Sequence, residues 1–148
     1  MRLYLYFFLL LFLNCQSQVA GNIVVPKGKP IPFEDKNHYA FSLTSKDFFI
    51  IQSQEQMDEI FSIIHQHNSG NRFSPIPAVI ENETYLIIKP RLKNTNDVAI
   101  ESVIVDKDIL YITVTPFDNP NFSKKSRLSP NILLKLTGNV SFKKVTIK

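Results

Sequence analysis

Apolar residues follow three rhythms along this chain, and each rhythm predicts a different element. Tyr39, Phe41 and Leu43 alternate with Ala40, Ser42 and Thr44, the period of a half-buried strand. Phe48 to Ile51 is a continuous apolar run, which predicts a second strand covered on both faces. The period then lengthens. Met57, Ile60, Phe61 and Ile64 fall at i, i+3, i+4 and i+7, so they share one face of a helix, with Ile63 at its margin. Ser53 is placed to cap its first turn and Gln56 to return the bond, the capping-box arrangement, while Gly70 after Asn68 and Ser69 stops it.

Beyond the helix the pattern is that of strands. Asn71 to Pro77 reads as a loop, Ala78 to Ile80 as a short strand, and Glu81 to Thr84 as a polar turn. Tyr85 to Lys89 predicts a strand that Pro90 ends. Ala99 to Val105 and Ile109 to Thr115 predict a hairpin across Asp106, Lys107 and Asp108, after the polar link Lys93 to Asp97. In its second arm Leu110, Ile112 and Val114 alternate with Tyr111, Thr113 and Thr115, so one face is core. After a long loop, Pro116 to Pro130, the arms Ile132 to Leu136 and Val140 to Ile147 predict a second hairpin across Thr137, Gly138 and Asn139. Val140 and Phe142 have a parity that Val145 and Ile147 lack, so a β-bulge is expected at Lys143 and Lys144. The fold expected is α+β: one helix packed on a mostly antiparallel β-sheet or a small β-sandwich built of hairpins.

The N-terminus has a different logic. Arg2 precedes eleven apolar residues, Leu3 to Leu13, the charge-then-hydrophobe order of a secretory signal. Eleven residues are too few to cross a bilayer, which takes about 20. The only cysteine of the 148 residues, Cys15, follows directly. Phe12, Leu13, Asn14 and Cys15 resemble the lipobox of bacterial lipoproteins, with Leu13 and Asn14 where small residues are usual. That resemblance implies cleavage before Cys15 and lipidation of its sulfur with three acyl chains, a lasting membrane anchor. The alternative is an ordinary cleaved signal that leaves an unpaired exported thiol. Residues 16–32 read as a tether, stiffened by Pro26, Pro30 and Pro32, with Val24 and Val25 suited to a short edge strand. The division expected is a signal peptide over 1–14, a lipid-anchored tether over 15–37 and one α+β domain over 38–148. Without an acidic residue soon after Cys15, the location expected is the outer membrane, facing the periplasm.

Composition changes this picture little. Removing residues 1–14 leaves sixteen basic against thirteen acidic residues, a mild excess with no cluster that calls for nucleic acid. No cysteine remains for disulfides, so packing must supply stability, and nine of the chain's twelve phenylalanines remain as material for it. Nucleophile elbow, HExxH and phosphate-cradling glycine loop are all missing, no cofactor is implied, and a noncatalytic protein is expected. His65 and His67 lie two apart in the last helical turn, about 200° apart on its surface, which suits the helix dipole and not a shared metal; His38 is placed in a loop. The candidate partner-binding surface is the long loop, where Phe117 and Phe122 flank a polar turn and Lys124, Lys125 and Arg127 follow. An aromatic pair beside a basic run suits an acidic or lipid-headgroup partner; the alternative is that the phenylalanines tuck under the loop and fix it.

The order strand, helix, then strands resembles the C-terminal domain family of PrcB, the lipid-anchored subunit of a spirochaete surface protease complex. The residues that carry the resemblance are Phe49 to Met57, the hairpin Ile100 to Pro116 and the ending Ser129 to Leu136, within a span of roughly 47–148. Where that family places a Gly-Gly-aromatic turn, this chain has Asn94-Thr95-Asn96-Asp97-Val98. The resemblance implies a noncatalytic accessory or protein-binding domain whose partner is another exported protein, such as a protease. The second functional expectation is a periplasmic lipoprotein that binds a small or polymeric ligand in an aromatic-lined cleft.

Overall fold

The computed structural model describes residues 27–67, 74–122, 129–138 and 140–148. Among them lie β1 (Lys29–Pro30), β2 (Phe33–Tyr39), β3 (Phe48–Ile51), α1 (Gln54–His67), β4 (Glu83–Ile88), β5 (Asp97–Asp106), β6 (Ile109–Phe117), β7 (Asn131–Thr137) and β8 (Lys144–Ile147). The strands form two four-stranded sheets, ordered β1-β5-β6-β8 and β2-β7-β4-β3. The expected α+β architecture, one helix on a small sandwich, is the one observed.

The hydrophobic runs explain the layers. Tyr85 to Ile88 and Ile132 to Leu134 are buried at every position, so the β2-β7-β4-β3 sheet is apolar on both faces where it is central. Leu86, Ile88, Ile132, Leu134 and Leu136 face the other sheet and meet Val103, Leu110 and Ile112 there. Tyr85, Ile87 and Leu133 face the opposite way, onto Met57, Ile60, Phe61 and Ile64 of α1. Each of these side chains contributes roughly 1.5–3 kcal/mol when fully buried, before entropy. The β1-β5-β6-β8 sheet has only one covered face. Leu110 and Ile112 are fully buried while Tyr111 and Thr113 between them are only partly so, as the alternation predicts.

Where the helix no longer covers the central sheet, the outer face turns polar. Lys135, in the middle of β7, bridges Glu34 on β2 at 2.8 Å and Glu83 on β4 at 2.9 Å. The hydrogen bonds it donates to both carboxylates raise the pKa of its ammonium above the ordinary lysine value.

Local chemistry places the helix and the long hairpin. The Oγ of Ser53 accepts the Gln56 N–H at 3.2 Å, while the Gln56 Oε1 accepts the N–H of Gln52 at 2.8 Å, so the returning arm of the cap lands one residue earlier than the standard box. The β5–β6 hairpin turns through Lys107 and Asp108, with Lys107 at φ 54°. Its ladder shifts between Ile100 and Ser102, leaving Glu101 as an extra residue. Pro116 sits inside β6 opposite Val98, beyond the last residue of β8 to bond with β6, where no strand needs its missing N–H.

Five expectations about the elements are corrected. The second hairpin does not form: β7 and β8 belong to different sheets, and β8 runs parallel to β6. The chain crosses between sheets after Gly138 (φ 108°), with Phe142 buried in the core between them. The ladder of β8 starts only at Lys144, so no bulge is needed at Lys143 and Lys144; the crossing itself brings Val140 and Phe142 to the same core as Val145 and Ile147. The folded region begins earlier than residue 38, because residues 29–37 of the expected tether pair with β5 and β7. Gly28 marks this docking: a Cβ there would lie 2.2 Å from the Val105 carbonyl oxygen.

The remaining two corrections concern strands. The one expected at Tyr39 to Leu43 lies upstream, at Phe33–Tyr39, where the residues are polar and backbone pairing with β7 decides. Leu43 is nonetheless buried, its N–H held by the Oδ1 of buried Asn131 at 3.0 Å. Ala78 to Ile80 is irregular, because the Val79 N–H is bound to the Oε1 of Gln54 at 2.9 Å instead of a ladder. The expected helix stop at Gly70, the Val24–Val25 strand and Cys15 lie outside the described residues.

Truncating Ile64 to alanine should lower the unfolding free energy by about 2–5 kcal/mol, read from a urea transition, because it opens a cavity under the only helix among the described residues. Ser53→Ala should cost about 1 kcal/mol by removing the cap.

Candidate functional site

Phe117 and Phe122 come together at one end of the sandwich and line an open cleft of about 490 Å³ with Asp35, Asn37, His38, Asn119 and Asn121. Phe117, at the end of β6, is 39% exposed, and Phe122 is half-buried, so neither is fully tucked under the loop. The stretch between them is held by Asn96 and Asn119. The Asn119 N–H reaches the Asn96 Oδ1 at 2.6 Å, the Asn96 Nδ2 returns a bond to the Asn119 carbonyl at 3.1 Å, and the Asn119 Oδ1 accepts the Asn121 N–H at 3.0 Å. Lys124, Lys125 and Arg127 lie outside the described residues.

The floor of the cleft is a chain of polar groups between the two sheets. His38, on β2 and not in a loop, has its Nδ1 2.5 Å from the Oδ1 of Asp97, the first residue of β5. Its Nε2 is 2.7 Å from the Oδ2 of Asp35. Asp97 is fully buried; its Oδ1 also accepts the Val98 N–H at 2.8 Å, and its Oδ2 accepts the Asn119 Nδ2 at 2.7 Å. Asp35 and His38 are three apart, and regular alternation would send them to opposite faces. The ladder between β2 and β7 shifts between Asp35 and Asn37, so the extra residue Lys36 turns both side chains the same way.

Burial opposes the charge on His38, but Asp35 and Asp97 outweigh it and hold the imidazolium pKa above its usual value. The imidazole is positioned between two carboxylates that favour its protonated form. Both its nitrogens are engaged, and the other polar side chains among the described residues that line the cleft are one carboxylate, Asp35, and the carboxamides of Asn37, Asn119 and Asn121. Among the described lining residues, an imidazole fixed at both nitrogens can orient a polar group placed against it. The other histidines have separate duties. The His67 ring stacks on Phe41 at 4.1 Å and its Nδ1 faces the Ile63 carbonyl at 3.0 Å, while the His65 Nε2 faces the Ser74 carbonyl at 2.9 Å. Among the described residues no three His, Cys, Asp or Glu side chains surround a common metal position.

The opposite flank of the sandwich is open in another way. At the β1–β2 side the chain passes directly from one sheet to the other through Ile31 and Pro32, with Ile31 buried. At the other side, β3 and β8 are the outer strands, and no segment among the described residues connects them. Phe48, Ile50, Val145 and Ile147 remain only partly buried along this seam. A groove of about 430 Å³ runs there, floored by Phe48, Leu92, Val114, Val145 and Ile147, with Lys89, Arg91 and Lys148 at its rim. No helix among the described residues is long and apolar enough to cross a membrane.

Comparison with known proteins returns no matching family model, no matching curated relative and no matching solved structure.

Asp35, His38, Asp97 and Asn119 were not legible as a site, because Lys36 changes the parity and Asp97 lies in what reads as a polar link. A raised histidine pKa adds stability that is fully present below the unfolded value of about 6.5 and is lost as pH rises through the folded value. The urea midpoint should therefore fall as pH rises from about 6.5 through the raised value, and His38→Gln should flatten that part of the profile. Asp97→Ala should destabilise more than Asp35→Ala, since the Asp97 side chain is 1% exposed and the Asp35 side chain 34%.

Proposed function

We propose that this chain is a lipid-anchored, noncatalytic module of the bacterial cell envelope that binds another exported polypeptide along the seam between β3 and β8. The observation that carries the binding reading is the seam itself: two outer strands, one from each sheet, leave half-exposed apolar side chains beside a groove with a cationic rim. Anchoring is supported by the order of Arg2, the apolar run Leu3 to Leu13 and Cys15. Fourteen positions separate Cys15 from the first strand residue, Lys29, a reach of at most about 50 Å. That distance suits a partner held close to the lipid surface. Accessory action on an exported protease, as the likeness to PrcB implies, belongs to the same reading.

A second reading, a small or polymeric ligand in the aromatic-lined cleft, is favoured by the pairing of Phe117 and Phe122 with carboxylate and carboxamide groups around an open space. The two readings place the contact at opposite flanks, so substitutions separate them.

Photo-crosslinkers placed at Leu92 and Ile147 in natively expressed protein should recover a discrete polypeptide, and one placed at Asn121 should not. Mass spectrometry should find acyl chains on Cys15, and Cys15→Ser should release the protein from the membrane fraction. A bare thiol in the wild-type protein would remove the anchor from this account.

A further inference from the structure

The His38 ring is held by two carboxylates at similar distance and unlike depth. Asp97, from β5, lies 2.5 Å from Nδ1 with its side chain 1% exposed, and its two oxygens take two further donors, the Val98 N–H and the Asn119 Nδ2. Asp35, three residues back on β2, lies 2.7 Å from Nε2, and its side chain is 34% exposed at the wall of the cleft. Among the described residues the ring is the only group bonded to the Asp35 carboxylate. Both contacts need a proton on the ring nitrogen, because an ionised carboxylate only accepts. The imidazolium has two N–H groups and satisfies both. The neutral imidazole has one.

Burial decides which contact survives the loss of a proton. Taking it from Nδ1 sets a lone pair against the Asp97 Oδ1, where the carboxylate has no water to turn to and is anchored by its two other bonds. Taking it from Nε2 sets a lone pair against Asp35, which can turn into solvent and be hydrated there. No other charge among the described residues intervenes. Asp35 and Asp97 are the charged groups that act on the ring. Across the ladder on β7 stand Ile132, Leu133 and Asn131, none of them titratable. The Phe117 to Phe122 stretch brings Asn119 and Asn121 to the cleft, while its one carboxylate, Asp118, is exposed and does not line it. Lys36, beside Asp35, is bonded to Glu34 at 3.1 Å.

We propose that His38 is a proton-operated latch on Asp35: protonated, the ring holds that carboxylate against it, and neutral, it keeps Asp97 through Nδ1–H and releases Asp35 into the cleft. The tie between the sheets persists in both states, as does the Asn119 bond that holds the loop. The wall of the cleft is what changes. Two carboxylates are balanced by one cation when the latch is closed and by none when it is open, and opening frees two acceptors, the Nε2 lone pair and the Asp35 carboxylate. Burial works against the protonated ring and the two carboxylates outweigh it, so the latch is closed below the raised pKa and opens as pH rises through it. The extra residue at Lys36, which brings Asp35 and His38 to one face, makes the device possible. It belongs to the chain itself and goes beyond either reading of what the chain binds.

The test is nuclear magnetic resonance of the isotope-labelled full chain in detergent, titrated through the His38 transition. The Nε2 resonance should move to the position of an unprotonated ring nitrogen while Nδ1 stays in the protonated range. Three-bond couplings of the Asp35 β-protons should change from those of one rotamer to an average over several at the same midpoint, with the Asn119 side-chain amide unmoved. In Asp35→Asn the carboxamide can accept from the charged ring or turn its Nδ2 toward the neutral one, so residue 35 should keep one rotamer across the titration. The couplings of the unsubstituted protein decide the matter even if that variant does not fold. Proton loss from Nδ1, with the Asn119 amide shifting, would overturn the proposal, and so would Asp35 couplings that stay constant through the titration. Averaging at residue 35 of Asp35→Asn as its own His38 titrates would overturn it too, because release would then not depend on the carboxylate.

Discussion

The structure depends on a sheet that no single layer can satisfy. Tyr85 to Ile88 on β4 and Ile132 to Leu134 on β7 are buried at every position, so the central strands of one sheet present hydrocarbon on both faces. Each face needs its own cover. One receives the second sheet, through Leu110 and Ile112, and the other receives the apolar stripe of α1. The order sheet, sheet, helix follows from this demand, and so do the places where the pattern breaks. Lys135 interrupts the apolar run of β7 beyond the reach of the helix, and there Glu34 and Glu83 replace hydrocarbon as its neighbours.

Covering both faces of this sheet leaves its flanks open, and the two flanks are built differently. At the β1–β2 side the chain passes straight from sheet to sheet, and the space near its end is tied by His38 to Asp97 across the layers. A buried carboxylate and a half-buried imidazole are costly unless matched, and the match here includes Asp35, Asn119 and the Val98 N–H. This makes a rigid polar floor beneath Phe117 and Phe122. At the β3–β8 side no such tie exists among the described residues. Hydrocarbon and cationic side chains border the opening, and the outer backbone groups of β3 face outward. A rigid polar cleft and an open apolar seam suit different kinds of contact, the first a ligand with its own polar groups, the second an extended chain.

Much of the layer order was legible in the residues because periodicity reports which faces are buried. The run Phe48 to Ile51 marked a strand, although not its place at the sheet's edge, where Phe48, Phe49 and Ile50 are only partly buried; the alternation from Ile109 to Thr115 signalled cover on one face, and the spacing of Met57, Ile60, Phe61 and Ile64 marked the helix. The first hairpin was legible as well, because its turn is local. Phe117 and Phe122 were found as a pair by their position around a polar turn, and the structure sets them in one cleft. The partners that give that cleft its chemistry were not found, since Asp35 and His38 share a face only through the extra residue at Lys36.

By itself, then, the sequence determined the helix, the main strands and which of their faces need hydrocarbon cover. Only the tertiary structure decided which strands lie side by side. β8 joins β6 in parallel and leaves β7, its neighbour in sequence, to the other sheet; the polar stretch Phe33–Tyr39 becomes an outer strand; and β3 is left with one bare edge. The physical reason is that strand pairing is made by backbone groups common to every residue, so side-chain pattern sets what is buried and leaves the choice of neighbour to the whole chain.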